Sequence, residues 1–415
     1  MKFFINSYFG DNQSIGLLSH IKKRLPYGMD DQWMVFSHYT ERGWTVDNLW
    51  HIFTDFYGGQ YAPLAFLSYL VLYAGFGYDP FYFHMFSLLL HIGCVCLVWK
   101  LISSLLRVHG GVSEKQILYV NFITTLLFAV HPINVEAVAW ISALKVLLYA
   151  FFYLLGLLCY LRYIRTSKIF YYVLTIGCFL CSFWGKEQAV TFPLALLIVD
   201  WFTNRNMKNL EVWSEKMSFL IMAFFFGIIT VLSQGKGPYE MIFPLYQRLL
   251  FGCFALVEYI TKSLLPVNLN FFYPFPIVLG EEPPLHYYLY PVVLLFLMGW
   301  IIAYRNNRYL VFGVLLFLVN LLFSIHLFNM SRHAIVADRY MYLSYVGIAF
   351  LIANGIWWLR KRLSYFKAAL VFLFFYCFFL SVYTFHYTKK WENTTMVKKN
   401  TKEVLEKRLN GSNHL

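Results

Sequence analysis

The sequence predicts an all-α integral membrane protein, a multi-spanning helical bundle of about 10–11 transmembrane helices with an extracytoplasmic first loop. Three observations carry this prediction. Of the 415 residues, 60% are hydrophobic and 21% aromatic, while only 13% are charged. A soluble domain carries about 25% charged residues, so a water-exposed globule, a disordered chain and a secreted disulfide scaffold are excluded. The apolar residues also fall in blocks, and the basic residues fall between them.

A bilayer core takes about 20 mostly apolar residues in helical form. Stretches without Asp, Glu, Lys or Arg place spans at 80–99, 116–135, 146–161, 169–185, 188–199, 217–235, 283–304, 309–331, 340–359 and 368–388. The third extends back through 137–145, with Lys145 facing the bundle interior or snorkelling. Residues 188–199 are short and end in Asp200-Trp201-Phe202, read as an interface anchor. Residues 56–78 hold Gly58-Gly59 and Pro63 and read as a loop followed by an interfacial helix. Residues 248–265 carry Arg248, Glu258 and Lys262 and read as amphipathic or re-entrant. The chain thus divides into an extracytoplasmic segment 1–79, a transmembrane domain 80–388 and a basic tail 389–415.

Orientation follows from the cations, which stay cytoplasmic. With the loop after residue 99 inside, Arg107, Lys115, Arg162, Arg165, Lys168, Arg205, Lys208 and Lys216 are cytoplasmic, against Lys145 and Lys186 on the other side. The segment before residue 80 and the turns at 131–145 and 185–188 then face outward. Charge leaves the second half open, because its orientation inverts if 248–265 crosses the bilayer. The net charge of +13 fits this asymmetry, and no nucleic-acid motif accompanies it. The seven cysteines lie in apolar segments, where Cys178 and Cys181 read as packing groups. His84 and His91, seven apart on one helix face, read as interhelical hydrogen bonders.

The outward segments collect a polar set. It comprises Asp30-Asp31, His131 to Glu136, Lys186-Glu187, Ser331-Arg332-His333 and Asp338-Arg339-Tyr340. Each has a plain alternative: a solvated turn for Asp30-Asp31, a proline helix stop for His131-Pro132, an interfacial ion pair for Lys186-Glu187, and a capping acid at Asp338. Together they suit chemistry on a lipid-linked anionic donor. Lys and Arg would hold its phosphate and stabilise the departing charge, and a carboxylate would take the acceptor's proton. Two adjacent carboxylates could also raise one pKa. No H-E-x-x-H, Walker A or G-x-S-x-G motif is present.

The strings HPINVEAVAWISALKVLLYAFFYLLGLLCYLRY, WGKEQAVTFPLALLIVDWF, RLLFGCFALVEYITKSLLPVNLNFFYPFP and ADRYMYLSYVGIAFL resemble the membrane half of the tetratricopeptide-repeat O-mannosyltransferases. These are glycosyltransferases of the GT-C superfamily, and the likeness runs in order from about residue 25 to 392. It implies transfer of a mannose-like sugar from a polyprenyl-phosphate carrier to a hydroxyl of an extracytoplasmic acceptor, protein Ser/Thr or glycan. It implies Asp30 or Asp31 as the general base, and Lys186, Lys262, Arg332 and Arg339 on the donor phosphate. His131, Glu136, Glu187, Asp338 and Tyr340 would orient substrate. A divalent metal is left open, and membrane lipids are the expected surroundings. The expected place is a bacterial inner membrane with the site on the periplasmic face. The likeness also sets the late loop and the C-terminus outside, favouring a non-crossing 248–265.

Two departures shape the expectation. The family has a membrane helix before the acidic loop, where residues 1–29 here carry Asp11, Lys22, Lys23 and Arg24 and cannot span. Either the true start lies upstream of Met1 or the first loop hangs from one side. The chain also ends where the family's repeats would begin, so acceptor recognition by repeats would be missing or delegated. The rival readings are a flippase for lipid-linked saccharide, which internal repeats would favour but none is evident, and an inactive truncated subunit.

Overall fold

The computed structural model describes residues 31–234, 243–326, 334–391 and 397. Helix forms wherever the charge-free stretches lie. Short helices α1 (Asp31–Met34), α2 (His38–Glu41) and α3 (Val46–Thr54) lead to α4 (Pro63–Phe76). Ser37 and Thr45 cap α2 and α3 through their side-chain oxygens. Then come α5 (Pro80–His109), α6 (Glu114–Val130), the single-turn α7 (Val135–Ala139) and α8 (Leu144–Thr166). They are followed by α9 (Ile169–Gly185), α10 (Phe192–Phe202), α11 (Leu210–Gln234) and α12 (Leu245–Leu264). The last four are α13 (Leu289–Ala303), α14 (Arg308–Leu321), α15 (Met341–Trp358) and α16 (Leu363–Lys389).

All ten stretches expected to span carry a helix, but not all are long enough to cross. Among the described residues six helices have the length and apolarity of a span, and α6 joined to the Pro132–Ala139 segment across a 51° bend would make a seventh. Helices α4, α9 and α14 are apolar but shorter. The span expected at 188–199 divides into a 3₁₀ turn, Glu187–Thr191, and the eleven-residue α10.

Helix α8 is the centre of the bundle, with 78% of its most apolar stretch buried. Helices α13 and α16, at 6% and 11%, stand on the outside. Their exposed faces carry residues such as Val292, Phe296, Phe372, Phe375 and Phe378, a composition suited to lipid. Close helix contacts use glycine, since packing rather than water exclusion drives association in a bilayer. A Cβ on Gly347 would lie 2.5 Å from the carbonyl oxygen of Gly313, so α14 and α15 touch backbone to backbone there.

Interhelical contacts sort the loops into two ends. His109 bonds the Phe202 carbonyl at 2.7 Å and its ring stands 5.2 Å from Tyr309, while Tyr119 faces Trp357 at 5.6 Å. The turns at 110–113, 203–209, 304–308 and 359–362 therefore share one end. At the other end, Thr384 donates to the Val130 carbonyl (2.8 Å), and Trp391 lies against Trp140. Both ends of α12 stay there too. Gln247 donates to the Glu281 carbonyl at 2.9 Å, and Lys262 donates to the Tyr273 hydroxyl at 2.9 Å. Helix α12 thus returns to the side on which it starts, and Arg305, Arg308 and Arg360 join the cation-rich end of the first half.

Candidate functional site at the 131–145 end of the bundle

Proline 132 stops α6 at Val130, since it restricts the residue before it. The chain then makes the 3₁₀ turn Pro132–Asn134, the single turn α7 and a second 3₁₀ turn, Ile141–Ala143. This folded segment carries the polar groups from which the site is built.

Asp31 is 2% exposed, and its Oδ1 accepts from the Ser142 N–H at 3.0 Å and from the Ser142 hydroxyl. Three residues on, Lys145 is buried and donates to Gln60 Oε1 at 2.5 Å, with its Nζ 6.0 Å from the centre of the Trp33 ring. Of the two orientations open to Lys145, the structure takes the interior one.

Glu136 is fully buried and holds Arg339 twice. Its Oε2 accepts from the Arg339 N–H at 2.7 Å, and its Oε1 from the guanidinium at 2.5 Å. The guanidinium lies between the rings of Trp140 and Tyr340, 5.3 and 5.2 Å from their centres. Lys186 approaches the same Tyr340 ring at 5.4 Å and pairs with Glu187 at 3.9 Å.

Asp338, expected as a capping acid in its plain reading, makes no cap hydrogen bond. It is buried and accepts from the Tyr273 hydroxyl at 3.0 and 3.1 Å. That hydroxyl also receives Lys262 Nζ at 2.9 Å and the Asn270 N–H at 2.6 Å. Lys262 lies 4.0 Å from Asp338 and 3.6 Å from Glu258. Burial, and then the Asp338 carboxylate, push the Tyr273 phenol well above its ordinary pKa. It therefore remains a proton donor to Asp338.

The site thus joins most of the residues singled out from the sequence. Residues 338–340 link the Lys262–Tyr273–Asp338 group to the Glu136–Arg339 pair, and residues 136–145 link that pair to Asp31. His131 sits at the α6 stop with its ring 4.2 Å from Tyr345. Asp30, Arg332 and His333 lie outside the described residues. Ser142, Tyr273, Trp140 and Gln60 carry contacts that the sequence reading did not single out. Only proximity across the fold reveals them, because none belongs to a charged or metal-ligand pattern. Among the described residues, no three His, Cys, Asp or Glu side chains gather as a metal-ligand group.

The opposite end corrects one reading. Asp200 is no interface anchor but a fully buried carboxylate, paired with Lys216 at 2.6 Å and Arg205 at 3.2 Å. Glu215 joins through Arg205 at 2.6 Å, and the Tyr160 hydroxyl donates to Asp200 at 2.7 Å. A sequence scan sees an aspartate beside two aromatics. The partners come from α8, α11 and the turn between α10 and α11.

Fold and site define an all-α, multi-spanning membrane protein with a buried cluster of carboxylates and cations at one end. The chain is similar to protein O-mannosyl-transferase TMTC2 of Mus musculus, 32% identical over 189 residues, which is 41% of this chain and 21% of that protein. It is similar to human TMTC4, 31% identical over 35% of this chain and 22% of the relative. It is likewise similar to Drosophila melanogaster Tmtc3, 28% identical over 37% of this chain and 18% of the relative. The matches span about a fifth of the length of these relatives. The resemblance found in the sequence is therefore to the TMTC proteins, over part of the chain. No family model and no solved structure matches.

Proposed function

We propose that the chain is a membrane glycosyltransferase. In this reading it moves a mannose-like sugar from a polyprenyl-phosphate carrier to a hydroxyl on a non-cytoplasmic acceptor, protein Ser/Thr or glycan. The observation that carries the reading is that Asp31, held by Ser142, lies at the same end of the bundle as Lys186, Lys262 and Arg339. The names of the relatives, protein O-mannosyl-transferases, support the reaction class.

The division of labour follows from the geometry. Ser142 fixes one oxygen of Asp31, which orients the carboxylate as a base for the acceptor hydroxyl. The acceptor oxygen bonds to the sugar C1 as the C1–O bond to phosphate breaks. The departing polyprenyl phosphate carries the extra negative charge, and preorganised cations stabilise it. Arg339 and Lys262 are held by partners at 2.5 and 2.9 Å, whereas the Lys186 ion pair is 3.9 Å long. Lys186 is therefore the cation most readily given to a phosphate, and Glu136 and Tyr273 act as positioning residues. The bacterial inner membrane and its periplasmic face are part of this proposal.

The test uses the full chain in liposomes, with radiolabelled mannosyl polyprenyl phosphate and either a Ser/Thr peptide or a glycan as acceptor. Label should move to one acceptor with the wild type and fail to move with Asp31→Asn. Carrier crossing the bilayer intact, with no labelled product, would replace this reading with the flippase.

A further inference from the structure

A groove of about 880 Å³ runs between the first turns of α5 and the last turns of α16, floored by the turn that follows α6. Its volume sits in the upper part of the range for small-molecule sites. We propose that this groove seats the isoprenoid chain of the sugar carrier, with the carrier's head group at the floor beside His131 and Asn134, where the 132–134 turn packs on the 338–340 turn that Lys186 also approaches. The inference rests on the transferase reading and locates its donor.

Three observations favour that occupant. Most of the lining surface is apolar, interrupted by His84 and His91 on α5 and Ser381, Thr384 and Thr388 on α16. Leu88 and Phe385 on the rim are 45% and 62% exposed. They continue the lipid-suited face of α16, so whatever fills the groove enters from the bilayer and not from water. The floor, in contrast, holds two buried polar side chains. His131 and Asn134 are 1% and 3% exposed, and His131 Nε2 and Asn134 Oδ1 have no hydrogen-bond partner of standard geometry among the described residues. The Ser263 backbone acts on the His131 ring without reaching that geometry. A buried polar atom left this way calls for a ligand or a water.

Charge completes the argument. Lys389 is exposed at the mouth, its Nζ 4.6 Å from the centre of the Phe385 ring. Behind the floor, two residues beyond Asn134 in the chain, the buried Glu136 holds Arg339. A long apolar chain ending in a sugar phosphate fits these surfaces: hydrocarbon against the apolar lining, a phosphate oxygen accepting from His131 Nε2–H, and a sugar hydroxyl donating to Asn134 Oδ1. A lipid without a polar head group would leave both atoms unanswered.

The experiment is photolabelling of the full chain in nanodiscs of neutral lipid. The probe is a long-chain polyprenyl phosphate carrying a diazirine on an isoprene unit near the phosphate. Label should map to 84–91, 129–139 and 381–391, and unlabelled polyprenyl phosphate should compete it away. Leu88→Trp and Val138→Trp should each cut labelling about tenfold, equivalent to roughly 1.4 kcal/mol of binding. Phe374→Trp, on the outward face of α16, should leave labelling unchanged. Label confined to other helices, equal competition by phosphatidylglycerol, or wild-type labelling of both folded tryptophan variants would overturn the inference. Should a variant fail to fold, the wild-type map decides. Groove labelling without sugar transfer would keep this inference and end the transferase reading. Transfer without groove labelling would do the reverse.

Discussion

The two ends of the bundle bury charge in different ways. At the 203–209 end, Asp200, Arg205, Glu215, Lys216 and Tyr160 answer one another completely. Lys216 reaches both carboxylates, and Tyr160 bonds Asp200 through both oxygens. No buried orphan polar atom is found within that network among the described residues. At the 131–145 end the carboxylates and cations are also paired. Around them, however, His131, Asn134, Trp140, Ser344, Tyr345 and Tyr387 each have a buried polar atom without a hydrogen bond of standard geometry among the described residues. Charges that satisfy only each other clamp helices together. Charges bordered by unsatisfied polar groups have capacity left for a substrate.

Substitutions can break this contrast from either side. The largest effect is expected at Asp31→Asn, which keeps the shape but removes the base. Turnover should fall by about 10²–10⁴, the usual worth of general base catalysis, with thermal unfolding in detergent close to wild type. A transfer rate within a factor of two would remove Asp31 from the mechanism.

Next comes Lys216→Met at the other end. Removing one member of a buried ion pair leaves uncompensated charge, here on Asp200 and Glu215, at a cost of about 3–5 kcal/mol. Chemical unfolding in detergent should report that loss, while the folded fraction keeps its activity per molecule. A proportionate drop in kcat at full stability would instead put this network in the reaction. Lys186→Gln should be intermediate. A charged hydrogen bond is worth about 1.5–3 kcal/mol, so donor KM should rise roughly tenfold to hundredfold while kcat changes little. Equal KM values would mean that the phosphate lies elsewhere.

The smallest effect belongs to Arg308→Lys, whose guanidinium stacks on Trp201 at 4.7 Å at the clamped end. The loss should stay within about 1 kcal/mol, the range of a cation–π contact, with transfer kinetics unchanged.

Hydropathy marked the ten helical stretches, because a long charge-free run has no low-energy alternative to helix in a bilayer. The contacts at the 131–145 end were only partly legible. Glu136 and Arg339 stand out as ions in outward turns, yet they are 203 positions apart and nothing in a linear scan pairs them. Tyr273 lies in an uncharged aromatic stretch, where nothing in the sequence marks it as a partner of Asp338. Asp200 reads from the sequence as an anchor beside two aromatics because its three charged or phenolic partners lie on other segments.

What this sequence determined alone is a hydrophobic, helical, membrane-embedded chain with its cations gathered mainly in one set of loops, since these properties depend on composition and local spacing. Tertiary structure decided which end each late loop occupies. Cation counts tolerate either orientation of α12, whereas the contacts of Gln247 and Lys262 allow one. It also decided which charges clamp and which lie beside orphaned polar atoms, because pairing, burial and orphaned polar atoms are properties of neighbours in space, and neighbours are set by packing.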